Sequence, residues 1–364
     1  MDRIAARLDK LRKILRGQKI EALLVSSVTN VRYLTGFTGD DSALLLSRDR
    51  AVLVSDGRYE TQIRQECPGL DAHIRPIGQL LPGAIACAFG KMGKNSLGFE
   101  SAVLTVADLE DLRAELPTVE LLGRRGLVES LRAVKDREEV AEIRQAIDHA
   151  ERAFGMLRNG LRAGQTEKEV ADDLEAFLRR CGASAASFPP IVAVGPRAAL
   201  PHARPTPDAR IGDSDFVLID WGATARAYKS DLTRVLVTGK VTPKFEKVYQ
   251  TVLAAQERGI AAIRPGALAR DVDAEARSVI EDAGFGRFFG HGLGHGIGMD
   301  IHESPRLRSG SDLALQAGMV ITVEPGIYLP DWGGVRIEDD VLVTHDGHEV
   351  LTRVPKGLDS VRPA

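Results

Sequence analysis

Cysteine is scarce in this chain: Cys67, Cys87 and Cys181 are the three thiols among 364 residues, and no C-x-x-C spacing occurs. An odd, scattered set argues against a disulfide framework and fits a reducing, cytoplasmic setting. Charge of one sign is also missing. Lys and Arg number 48 against 51 Asp and Glu, a net charge of −3, so there is no global basic field for nucleic acid and no acidic tail. Long apolar runs are absent too. The longest, such as Phe216 to Ile219, are strand length, far short of the roughly 20 residues of a membrane span. The opening MDRIAARLDKLRKILRG is charged throughout and has no apolar core, so a secretory signal is not expected.

What is present is ordinary for a soluble globular enzyme: 44% apolar and 27% charged residues. The length predicts two domains. Ile4, Leu8, Leu11 and Leu15 recur at helical spacing. Strand patterns follow at Glu21 to Ser26, Ala43 to Leu46 and Ala51 to Val54, and helix patterns at Arg58 to Gln65 and Thr105 to Leu116. This alternation predicts an α/β domain with a mixed sheet over residues 1–130. The segment 123–136 reads as a connector. Asp136 with Glu139 resembles a capping box that opens a long helix in a second domain, residues 131–364.

The second domain carries an internal repeat. Residues 161–183 lie on 263–285 without a gap, with Arg162/Arg264, Gly164/Gly266, Val170/Val272 and Gly182/Gly284 identical. Each copy reads as a turn, an amphipathic helix and a terminal glycine suited to a left-handed cap. Two unrelated amphipathic helices could share this much. The other reading is a duplicated α+β domain with a pseudo-two-fold axis and its active site between the halves. Strands are expected at Ile191 to Val194, Phe216 to Asp220, Asp231 to Val237, Met319 to Val323 and Val335 to Val343.

Acids fall at the ends of these strands. The run Phe216 to Ile219 is apolar throughout, as in a strand buried on both faces, and it ends in Asp220. Asp231 opens the next strand. If the two pair, their carboxylates meet, and a metal ion would relieve the repulsion. VITVEPGIY (320–328) stops a strand at Glu324, and GVRIEDD (334–340) places Arg336, Glu338 and Asp340 on one face by alternation, with Asp339 opposite. Three of eight histidines, His291, His295 and His302, lie within twelve residues separated by Gly292, Gly294, Gly296 and Gly298. The glycines exclude a helical zinc motif. The stretch is either a surface loop with incidental histidines or a backbone built to approach a ligand closely. Asp220, Asp231, His295, Glu324 and Glu338 together form an oxygen-rich set without thiolate. It suits two cations such as Mn²⁺, Fe²⁺ or Co²⁺, held about 3.5–4 Å apart, and metal-assisted hydrolysis of an amide or ester.

These motifs, in the order FVLIDWGATARAYKSDLTR, HGLGHGIGMDIHE, VEPGIY and GVRIEDD, resemble those of the pita-bread metallopeptidases that act beside proline, aminopeptidase P and prolidase. GPRAALPHARPT (195–206) and NVRYLTGFTG (30–39) extend the resemblance into a substrate-side histidine and a creatinase-type N-terminal domain. The resemblance implies an α/β N-terminal domain and a duplicated, pseudo-two-fold α+β catalytic domain. By position it implies that Asp220 binds one metal, Asp231 and Glu338 bridge two, and His295 and Glu324 complete the other shell. Glu324 would also carry the proton of the attacking water. His202 and His302 would contact substrate and stabilise the tetrahedral intermediate, His291 would line the proline pocket, and Arg336 would partner the carboxylates. Tyr328 is open between packing and function.

Mn²⁺ is the first expectation for the metal, with Co²⁺, Fe²⁺ or Zn²⁺ as alternatives. The implied partners are proline-containing peptides and a second copy in a homodimer, with neither nucleic acid nor membrane. An Xaa-Pro aminopeptidase is the first functional expectation, because NVRYLTGFTG and DGRY (56–59) look like the bacterial aminopeptidase type and Arg306 lies in a polar stretch, SPRLRSGSD, that reads as mobile. A dipeptide-restricted prolidase, with Arg306 holding the proline carboxylate, is the alternative. Methionine aminopeptidase shares the metal set but usually lacks such an N-terminal domain. Creatinase lacks the ligands, and a non-catalytic pita-bread module would have lost some of them.

Overall fold

The computed structural model describes residues 3–361. The chain divides into two compact units, Met1–Arg132 and Ala133–Ala364. In the first unit, six strands form one mixed sheet. Ala22–Val25 lies antiparallel to Ala43–Ser47 and parallel to Ser96–Glu100, so both kinds of pairing meet on one central strand. That strand is buried along its whole length, as ALLV predicts. The opening helix, Arg3–Gly17, buries Leu8, Leu11 and Leu15, the apolar stripe read from the sequence. The helix Val28–Thr35, inside NVRYLTGFTG, was not anticipated. Ser27 caps it at one end and Gly36, at φ 80°, at the other.

In the second unit, the helix Arg137–Gly160 begins in the expected Asp136/Glu139 capping box. The repeat is present in three dimensions. Glu167–Arg180 and Ala269–Asp282 are helices of the same length, each packed against the long helix before it. Gly164 and Gly266 have φ of 86° and 83°, and Gly182 and Gly284 have φ of 108° and 85°. Matching left-handed turns at both ends of both copies support duplication over coincidence.

Each copy feeds a sheet. Ile191–Val194, Phe216–Trp221 and Leu232–Val237 form an antiparallel three-stranded sheet in which every residue from 216 to 221 is buried. Gly294–Gly296, Glu303–Leu307, Val320–Val323, Asp339–Val343 and His348–Val350 form a five-stranded one. An isolated bridge between Thr233 and Glu338 joins the two. The single strand expected over Val335 to Val343 is corrected here. Gly333–Arg336 pairs with Gly326–Leu329, whereas Asp339–Val343 pairs with Val320–Val323. The chain changes partners at Ile337 and Glu338, where the Glu338 amide bonds to the Thr233 carbonyl (3.2 Å). Among the described residues, no helix is long and apolar enough to cross a membrane.

Candidate metal centre

Buried strands deliver the acids because their apolar neighbours hold them in place. Phe216–Trp221 pairs with Leu232–Val237 in a register that sets Asp220 opposite Thr233. Asp231, just before the second strand, receives no partner of its own side chain from that ladder. Across the Thr233–Glu338 bridge, Glu338 joins it. Asp231, His295 and Glu338 each offer a ligand atom, and these atoms lie within 4.8 Å of one another. His295 Nε2 lies 3.3 Å from Glu324 Oε1 and 3.7 Å from Asp231 Oδ2. Asp220 lines the same cavity, and its Oδ2 accepts from Arg336 Nη2 at 2.5 Å. All five expected ligands are therefore brought together.

The glycines around His295 explain themselves by packing. A Cβ on Gly294 would collide with the Thr322 carbonyl, and one on Gly296 with the Ser304 carbonyl. The strand bearing His295 can lie between its two neighbours only because these positions lack side chains. The stretch is therefore a buried strand and not a surface loop, and what its glycines let in is the neighbouring backbone.

The electrostatics are those of an unneutralised pocket. Burial, and then repulsion from Glu338 and Asp220, push the Asp231 carboxyl well above the usual range. Burial and then Glu324 do the same to Glu338. Asp220 is also raised by burial, against the pull of Arg336. Glu324 is the exception. Burial would raise it, but its contacts with His295 bring it down to about 2. Asp220 Oδ1 and Glu338 Oε1 are buried and have no hydrogen-bond partner. Buried acceptors are almost always satisfied, so unpaired oxygens crowded beside other acids mark places a cation would fill. The donor set, four carboxylates and one imidazole, fits two divalent ions.

His202, His291, His302 and Arg306 line the same cavity, whose volume is about 950 Å³. The His302 ring meets the His295 ring edge-on at 4.4 Å. Burial, then His295 and Arg306, lower its pKa to about 4, so His302 is neutral at pH 7. Tyr328 does more than pack: its hydroxyl lies 2.9 Å from His291 Nε2 and 3.0 Å from Arg336 Nη1.

Arg306 does not lie in a mobile stretch. It belongs to the strand Glu303–Leu307 and faces His295 across the ladder. The loose appearance of SPRLRSGSD came from its polar composition, which the backbone ladder overrides.

Two threonines went unread, and Asp340, placed on a strand face, was given no role. Thr233 Oγ1 donates to Glu338 Oε2 (2.6 Å) and accepts from Arg336 Nε (3.1 Å). Thr322 Oγ1 donates to Glu324 Oε1 (3.2 Å) and accepts from the His295 amide (3.0 Å). Asp340 Oδ2 takes the Asp231 amide (3.1 Å). The signal was available: each threonine is two residues from an acid, hence on the same strand face.

A buried cluster of carboxylates and imidazole in a substrate-sized cavity defines a metal-dependent hydrolase. The comparisons name it further. The model of metallopeptidase family M24 matches residues 141–345, and that of the creatinase/prolidase N-terminal domain matches 7–134. The chain belongs to metallopeptidase family M24. It is 34% identical to the Xaa-Pro dipeptidase of Pyrococcus furiosus over 97% of this chain and 99% of that one. Among solved structures, the Xaa-Pro dipeptidase from Bacillus anthracis superposes with a TM-score of 0.93 at 38% identity, covering 98% and 99% of the two chains. The X-Pro aminopeptidase from Thermotoga maritima superposes with a TM-score of 0.86 at 35% identity, covering 94% and 99%.

Proposed function

We propose that this metallopeptidase is an Xaa-Pro dipeptidase, with its chemistry in residues 131–364. The observation that carries this reading is Arg306. It is fixed on a strand opposite His295 and lines the cavity. No acidic partner for it occurs among the described residues. A guanidinium held there suits a carboxylate that ends the substrate directly after proline. The relatives titled Xaa-Pro dipeptidase support the same choice. An Xaa-Pro aminopeptidase is the second reading, favoured by a cavity of about 950 Å³, roomier than a dipeptide needs.

In this reading Asp220, Asp231, His295, Glu324 and Glu338 would hold two divalent ions, with Mn²⁺ first among the candidates. The ions supply charge neutralisation and a water acidified towards neutral pH. Glu324 would hold the proton released by the attacking water and deliver it to the departing proline nitrogen. Neutral His302, together with His202, would donate to the carbonyl oxygen as it gains charge. His291, bonded to Tyr328, forms a wall of the proline pocket. Arg336 holds Asp220 in place. The same reading carries a homodimer and a cytoplasmic setting, the first of which light scattering checks.

The test is a comparison of Xaa-Pro with Xaa-Pro-Yaa, with Mn²⁺ and with chelator. Faster dipeptide cleavage supports the dipeptidase. Faster tripeptide cleavage replaces it with the aminopeptidase, and no metal-dependent cleavage of either overturns both.

A further inference from the structure

The glycine-rich segment that carries His291, His295 and His302 has little stiffness of its own. The sheet fixes only its middle. Gly294, His295 and Gly296 are the residues in ladder register, opposite Leu307, Arg306 and Ile321 among others. The flanks, where His291 and His302 sit, are held by two ion pairs outside the metal cluster.

The first pair comes from the helix Ala269–Asp282. Asp273, almost fully buried, takes both Nε (2.9 Å) and Nη2 (3.0 Å) of Arg277. Its Oδ1 also takes the Leu293 amide (2.9 Å). The guanidinium then donates to the Phe289 carbonyl (3.1 Å) and the His291 carbonyl (2.7 Å), and lies 4.2 Å over the Phe289 ring. Five consecutive residues, 289–293, are thereby clamped at both ends to one helix turn.

The second pair is Lys135 with Glu303, at 3.0 Å, with side chains 1% and 6% exposed. Glu303 follows His302 directly. Its other oxygen takes the Asp300 amide (3.1 Å), and its carboxylate fills the space a Cβ on Gly298 would occupy. Both ions are removed from water. That cost is met only when the geometry is tightly determined, and here the determined geometry is that of the turn 298–303.

We propose that Arg277 and Lys135 are positioning residues for substrate turnover, Arg277 setting His291 and the proline pocket, and Lys135, through Glu303, setting His302 at the reacting carbonyl. This rests on the Xaa-Pro reading above. The two clamps therefore have separable kinetic signatures. Loss of pocket geometry weakens ground-state and transition-state binding alike and raises KM. Loss of a donor that acts as charge develops lowers kcat.

The experiment is steady-state kinetics on Mn²⁺-loaded protein with an Xaa-Pro dipeptide, alongside melting temperature and bound-metal content. Arg277→Lys keeps a charge beside Asp273 but cannot bond both carbonyls as the fork does. It is expected to raise KM about 10-fold with kcat within about twofold. Lys135→Met takes the ion-pair partner at 3.0 Å from a buried Glu303 and can fail to fold. The double variant Lys135→Met with Glu303→Gln removes both charges and keeps an acceptor for Asp300. It is expected to lower kcat about 10-fold with KM within about twofold. Both variants should keep wild-type metal content, because His295 is fixed by the ladder. Parallel losses of kcat and KM that track melting temperature would reduce the pairs to scaffold and overturn the inference. Such a result with an active wild type overturns this inference alone. A wild type inactive on Xaa-Pro peptides overturns the functional reading and this inference together.

Discussion

Glu100 in the first unit and Glu338 in the second are both buried glutamates, 7% and 1% exposed, yet their surroundings are opposite. Glu100 accepts from the amides of Ser26 (2.7 Å) and Ser27 (2.8 Å) and from Asn30 Nδ2 (2.5 Å). Burial still raises its carboxyl, but these donors pull against that rise and tie the end of one strand to the start of a helix. Glu338 has one oxygen on Thr233 and the other on nothing, with Asp231 and Asp220 nearby. The contrast recurs one residue along. Asp339 is saturated by Arg234, Gln256, Thr352 and Lys356 and is held below the usual carboxylate range. Burial of an acid therefore does not identify a site. What marks one is several acids buried together with too few donors, a stability cost that a bound cation or protonation removes.

The largest test of this contrast is removal of acids from the cluster. Asp231→Ala or Glu338→Ala should lower kcat/KM by about 10³-fold or more, since losing a metal forfeits several kcal/mol of transition-state stabilisation. Near-wild-type turnover by either purified variant would refute the assignment. In metal-free protein, Asp231→Asn should raise the melting temperature by relieving repulsion, whereas Glu100→Ala should lower it.

Next is Arg306→Ala. It should slow dipeptide cleavage about 10- to 150-fold, corresponding to roughly 1.5–3 kcal/mol for a lost charged hydrogen bond. Tripeptide cleavage should change far less. Equal effects on both lengths would remove Arg306 from carboxylate recognition.

Thr233→Val should lower metal affinity or activity about 10- to 100-fold, the usual scale for groups that orient ligands. Metal titration followed by activity reads it directly.

A pH series on metal-free protein sharpens the comparison further. Asp231, Glu338 and Asp340 are raised well above their usual values. Such acids hold protons in the fold after the unfolded chain has released them. Their contribution is full below the unfolded pKa of about 4 and is lost as pH rises towards the folded values. Glu324, lowered to about 2, acts in the opposite sense between pH 4 and 2. His302, lowered to about 4, and His291, also lowered by burial, oppose the raised acids up to about pH 6.5, because there the unfolded chain binds protons that the fold excludes. Above about pH 6.5 that opposition ends, so denaturant midpoints should fall as pH rises further through the folded values of the raised acids, and added Mn²⁺ should reverse the fall. The smallest effect on chemistry belongs to Glu100→Ala: about 1–3 kcal/mol of stability lost through unsatisfied donors, with kcat/KM of folded protein within about twofold of wild type.

Much of the site was legible because its residues end apolar strands. Asp220 and Glu324 close runs of buried residues, and the paired left-handed glycines betray the repeat. What could not be read links positions far apart in the chain. Thr233 reaches Glu338 across 105 positions, and Lys135 reaches Glu303 across 168. Periodicity assigns a residue to a face but not to the partner that face will meet. The break at Ile337 was hidden for the same reason: Val335 to Glu338 alternate straight across it, and only the two ladders show that the chain changes partners there. Arg306 was misjudged because polar composition imitates mobility when the pairing strand is built largely of glycine and histidine.

The central claim is that unpaired buried carboxylates in the second unit hold two divalent ions. Metal content per chain, measured on Mn²⁺-reconstituted wild type and on Glu338→Ala after removal of free ion, tests it most directly. Two ions are expected in the wild type and at most one in the variant, with activity lost in step. Two ions retained by the variant, or full activity of a metal-free wild type, would contradict it.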